Sequence, residues 1–142
     1  MSVTELSATL QPLRLKVYQM SVTELPATLQ PLGLKVYLWD YNYWFISLVD
    51  WGKVLKDVCF GMPKYTVDRW DCEQFAMLTT ARVGERYQIN TCGIAIGQSP
   101  WGEHGYNLLV TETGLMYFEP QDGMMYPVEE NSGYKAHTVL FG

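Results

Sequence analysis

The sequence predicts one α+β domain in which N-terminal helices pack on one face of a small antiparallel sheet. Two stretches with helix-spaced apolar residues come first, and short runs of β-branched and aromatic residues separated by turn formers follow Asn90. Helices followed by strands, rather than the two in alternation, is the pattern of segregated layers. The chain has 142 residues, 48% of them hydrophobic and 18% charged, which suits a single packed core.

Taken in order, residues 1–18 recur as residues 20–37, with Ser7 matching Pro26 and Arg14 matching Gly33. One near-perfect copy that opens on its own methionine, Met20, reads as a duplication, because a solenoid needs at least three stacked repeats. Residues 1–19 are therefore expected to be dispensable and residues 20–142 to form the domain. From Leu38 onward Phe45, Leu48, Val49, Val54, Leu55 and Val58 recur at three and four positions, predicting an amphipathic helix with Asp50 as N-cap of its second half. Gly61 and Pro63 then turn the chain. A second helix opens at Asp71, where Gln74 three residues on completes a capping-box pattern and Phe75, Leu78 and Val83 form the stripe to be buried. The runs TCGIAIG, GYNLLVT, GLMYFEP and HTVLF read as strands, the last at an edge.

Charge and cysteine usage narrow the function. A net charge of -5 without clustered Lys and Arg argues against nucleic acid as a partner. Three cysteines, Cys59, Cys72 and Cys92, with no CxxC spacing argue against a disulfide framework and a structural zinc site, and no metal or other cofactor is expected. No basic leader and no membrane-length apolar run is present, so a cytoplasmic protein with no membrane partner is expected.

Cys72 is the first candidate for chemistry, because the first turn of a helix offers unpaired N–H groups and the positive end of the dipole, both favouring thiolate. Its flanking Asp71 and Glu73 suit a polar site better than a core. His104, between Gly102 and Gly105 at the start of a strand, has the position to accept the thiol proton. If LLVTETGLMYF is a hairpin turning at Glu112 and Thr113, residues whose numbers sum to about 225 face each other, in the manner of a tight antiparallel ladder. His104 then faces Gln121, and Glu119 lies one pair away on the same face. Glu119 is expected to orient the imidazole, with Gln121 as a nearby donor and Asn107 the weaker candidate. His137, on KAHTVLF, is the rival base.

The segments DRWDCEQFA, GEHGYNLLV and GLMYFEPQDG resemble bacterial transglutaminase-like cysteine peptidases, the papain-like C-terminal domain of the Marasmius agglutinin and similar phage-encoded proteins. The resemblance spans roughly residues 51–128. It implies a papain-like core and a cysteine hydrolase, a peptidase or amidase cutting an amide bond in a peptide or protein substrate through a thioester on Cys72, with His104 as base and Glu119 third. It also implies calcium, for which Asp71, Glu73, Glu103 and Glu119 are the available carboxylates. The chain departs from the papain pattern in lacking a glutamine shortly before the nucleophile to build the oxyanion hole. Thr66, Tyr65, Trp70 or Gln121 would have to donate instead. The alternative reading is a catalytically inactive papain-like module for binding or assembly, of the phage-encoded kind.

Overall fold

The computed structural model describes residues 13–142; most of the first copy of the duplicated segment, residues 1–12, lies outside the described residues. Eight strands and three α-helices follow in the order β1 (Tyr18–Ser21), α1 (Glu24–Leu29), β2 (Lys35–Leu38), β3 (Asn42–Phe45), α2 (Leu48–Val58), α3 (Cys72–Tyr87), β4 (Cys92–Ser99), β5 (Gly102–Thr111), β6 (Gly114–Glu119), β7 (Met124–Pro127) and β8 (Lys135–Phe141). The main sheet has six strands in the order β2-β8-β4-β5-β6-β7, and β1 pairs with β3 in a separate ribbon.

This corrects the predicted fold class. Three strands precede the two long helices, and the sheet is mixed, because β2 runs parallel to β8 across about a hundred residues of sequence. The expected papain-like arrangement, N-terminal helices on one face of a small antiparallel sheet, is not what the chain forms. β8 is no edge strand: it lies between β2 and β4.

Both faces of the sheet are covered, and the alternation of strand side chains decides which residue serves which side. Leu109, Met116 and Phe118 join Trp51, Val54, Val58, Val83 and Tyr87 of α2 and α3 in one core. Leu108, Val110, Leu115 and Tyr117 join Leu25 and Leu29 of α1, with Tyr134, Val139 and Phe141, in the other. That is why GYNLLVT reads as a nearly continuous apolar run and not as an alternating one. The repeated LKVY quartet divides between the two sides. Leu15 and Val17 of the first copy pack on the α2–α3 core, whereas Leu34 and Val36 of the second pack on the α1 core.

The α2 helix begins later than the periodicity suggested. Residues 42–45 are strand, and Ser47, not Asp50, is the N-cap, its hydroxyl accepting the Asp50 N–H. Glu112 from the β5–β6 turn sets a carboxylate on the same helix end, accepting the Leu48 N–H at 2.9 Å. Trp51 is fully buried and donates its indole N–H to the Val110 carbonyl at 2.8 Å, tying α2 to the centre of the sheet.

The α3 helix starts where its sequence says: the Asp71 N–H donates to Gln74 Oε1 at 3.0 Å. Its N-terminus lies against β5 at Gly105, where an added Cβ would stand 3.2 Å from Glu73 Cα and 3.5 Å from the Cys72 carbonyl carbon. Asn107 is buried beneath the same helix and donates to the Ala76 and Gly93 carbonyls, each at 3.1 Å. It is a structural clamp between α3 and the sheet, not a member of the candidate site.

Candidate functional site

The ends of α3, β5 and β6 converge on an open cavity of about 440 Å³. Cys72 enters it from the helix start, Glu103 and His104 from the start of β5, Glu119 from the end of β6, and Gln121 and Asp122 from the following turn. Tyr65, from the loop before α3, and Trp101, from the β4–β5 turn, complete the wall.

The register that brings His104 to Glu119 is the one the TETG turn predicts. Thr111 pairs with Gly114 and Asn107 with Phe118, so each pair sums to 225. Three pairs farther on, His104 Nε2 donates to Glu119 Oε1 at 2.6 Å. Glu119 is 1% exposed and also accepts from the Tyr134 hydroxyl at 3.1 Å and the Gln121 N–H at 3.2 Å. A buried carboxylate with three donors has its charge compensated without a metal. Gln121 thus contributes through its backbone, while its side chain is exposed at the rim. Burial, followed by the charge of Glu119, pushes the Tyr134 phenol up and keeps it a donor.

Turn chemistry places the aromatic wall. Ser99 Oγ donates to the Gly102 carbonyl at 2.9 Å and accepts the Trp101 N–H at 3.1 Å, with Gly102 at a φ of +101° where a side chain would strain. Trp101 stands edge-on to His104 and to Tyr134 at 5.8 and 6.3 Å and remains 68% exposed. On the opposite side Tyr65 is also exposed, at the head of a tight loop in which Thr66 and Trp70 exchange backbone bonds of 2.7 Å around Asp68 at a φ of +59°. Trp70 turns away from the cavity and packs on Phe75.

The thiol departs from the expectation drawn from its place on the helix. Cys72 Sγ donates to Glu73 Oε2 at 3.3 Å, and no hydrogen bond joins Cys72 to His104 among the described residues. Its pKa is raised, chiefly by desolvation; a bond from the Gly105 backbone works against this, while Glu73 and Asp71 add to it. The helix N-terminus favours a thiolate, but half-burial beside two carboxylates outweighs it. Those carboxylates also perturb each other, Glu73 pushing Asp71 up and Asp71 holding Glu73 down.

Asp71, Cys72 and Glu73 offer ligand atoms within 4.8 Å of one another. The four carboxylates named for calcium do not converge, however: Glu119 is committed to His104, and Glu103 Oε1 to His137 Nε2 at 2.6 Å. With its carboxylates committed elsewhere, the donor set does not fit a calcium cage. His137 is exposed on β8, facing Glu103 and not Cys72, and so does not stand in for His104. Trp101 and Asp122 are the cavity-lining residues that sequence reasoning missed, together with Tyr134, which supports Glu119 from behind; the one legible signal was a tryptophan at the tip of the SPWG turn.

No protein-family model matches the sequence, and no curated protein matches it. Solved structures do. One described as "PSL1a-E64 complex" superposes with a TM-score of 0.71 at 25% identity, covering 87% of this chain and 51% of that one. The Polyporus squamosus lectin bound to the human-type influenza-binding epitope Neu5Acα2-6Galβ1-4GlcNAc superposes with a TM-score of 0.67 at 24% identity, covering 87% of this chain and 49% of that one. The chain spans about half the length of each. These likenesses overturn the reading taken from the sequence motifs. The assignment to papain-like or transglutaminase-like peptidases, the cysteine hydrolase with a Cys–His–Glu triad, and the peptide or protein substrate are all withdrawn, in keeping with a thiol that bonds Glu73 and whose pKa burial raises.

Proposed function

We propose that this chain is a binding module that holds a saccharide in the cavity between α3, β5 and β6 without changing it. The observation that carries the reading is the juxtaposition there of an open tryptophan with fixed polar groups. Trp101 is 68% exposed at the wall of a cavity of about 440 Å³, beside Glu103, Asp122 and the His104–Glu119 pair. An aromatic face suits the C–H face of a sugar ring, and carboxylates and imidazole accept or donate to its hydroxyls. The volume lies in the range of ordinary small-ligand sites. The likeness to a lectin bound to a sugar epitope points the same way. The free thiols Cys59, Cys72 and Cys92 are compatible with a reducing compartment. No helix of the described residues is long and apolar enough to cross a membrane.

In this reading Cys72, His104 and Glu119 shape and orient the floor of the site. Glu119 fixes the imidazole, and the Cys72 thiol, bonded to Glu73, borders the cavity from the helix start. The test is calorimetric titration with a panel of oligosaccharides, on the parent protein and on Trp101→Ala. Saturable binding weakened about tenfold or more by the truncation is expected for an aromatic anchor. Absence of binding across the panel overturns the reading.

A further inference from the structure

Resting on the saccharide reading, we infer that the cavity selects a sugar carrying a protonated amine over one carrying a carboxylate. Glu103, Glu119 and Asp122 line the cavity, no Lys or Arg among the described residues does, and Glu73 accepts from the Cys72 thiol that borders it. The lining is negative whichever state its histidine adopts: three carboxylates face one imidazole, and that imidazole is spent on Glu119. Glu103 and Asp122 are both exposed; Glu103 Oε1 is held by His137 Nε2 at 2.6 Å and Asp122 Oδ1 by the Met124 N–H at 2.8 Å, which leaves the second oxygen of each carboxylate to meet an incoming ligand.

The aromatic wall adds to this preference. An ammonium group is attracted to the face of an indole or phenol ring, and Trp101 and Tyr65 both remain open to it. A carboxylated sugar such as the Neu5Ac of the epitope held by the Polyporus lectin would instead meet Glu103 and Asp122 as like charges, with no Lys or Arg among the described residues in the lining to receive it. The neighbour's ligand is therefore not the one this cavity suits.

The experiment titrates the full chain with a short glucosamine oligomer, its fully N-acetylated counterpart of equal length, and the Neu5Ac-containing epitope. The amine oligomer is expected to bind about tenfold tighter than the acetylated one. That gap should shrink between about 0.05 M and about 0.5 M salt as exposed charges are screened. The double variant Glu103→Gln, Asp122→Asn should close the gap. Glu85→Gln, on the exposed face of α3, should leave it, separating the cavity from the general acidity of the chain. Equal or tighter binding of the acetylated oligomer or the Neu5Ac epitope overturns the charge preference while the saccharide reading stands. A gap reduced equally by Glu85→Gln also overturns it, and failure of every sugar to bind overturns both.

Discussion

Replacing Glu119 with alanine removes the acceptor of three donors at once: His104 Nε2–H at 2.6 Å, the Tyr134 hydroxyl at 3.1 Å and the Gln121 N–H at 3.2 Å. Each buried donor left unpaired costs about 1–3 kcal/mol. His104 and Gln121 border the open cavity, where water can take the place of the carboxylate, so their shares fall to the low end. Tyr134 is 4% exposed and has no such relief. The sum is about 3–4 kcal/mol, the usual cost of breaking a buried ion pair from one side. For a domain near 150 residues it corresponds to a melting temperature lower by about 6–16 °C. Glu119→Gln keeps an acceptor in place and should lose about a third of that, roughly 1 kcal/mol. Thermal unfolding followed by circular dichroism at neutral pH measures both. An alanine variant melting within about 2 °C of the parent, a shift worth under 1 kcal/mol, would refute the picture of Glu119 as the hub of the floor.

Iodoacetamide should label Cys72 near pH 6 no faster than a small model thiol, and His104→Ala should leave the rate unchanged, because desolvation and Glu73 hold the thiol protonated. Fast labelling that depends on His104 would overturn the binding-only reading. Burial raises the pKa values of Cys92, Tyr106 and Tyr134, so the fold keeps protons that the unfolded chain sheds above about pH 8.5 for cysteine and about pH 10 for tyrosine. Stability is therefore complete below those values and lost as pH rises, and the melting temperature should fall between about pH 8 and about pH 10.5; a flat profile there would contradict the burial of these groups. A chain beginning at Met20 should still unfold cooperatively, at a lower temperature, since it gives up Leu13, Leu15 and Val17 against the α2–α3 core. Loss of cooperativity would show that the first copy is indispensable.

What could be read from the sequence was local. The α3 start was legible because Asp71 and Gln74 are three apart, and the β5–β6 register because TETG leaves little choice of turn; together they brought His104 to Glu119. The β2–β8 pairing was not legible, because nothing in four residues of KVYL names a parallel partner a hundred residues away. Phe45 satisfied a helical spacing and still became strand, since β3 must pair with β1. The thiol was misjudged for a similar reason: a helix N-terminus is visible in the sequence, but the desolvation that opposes it is set by how closely α3 approaches Gly105.

The quartet LKVY occurs twice and meets two fates. In one copy its tyrosine opens a strand antiparallel to β3, and in the other Lys35, Val36 and Tyr37 run parallel to β8. Four identical side chains thus carry no address of their own. What sends each to its berth is the span of chain on either side, β1 to β3 by a short return and β2 to β8 by the closing of the whole domain. Lengthening or shortening the tether between Ser21 and Asn42 should therefore disturb where the twins lodge more than exchanging residues within either of them.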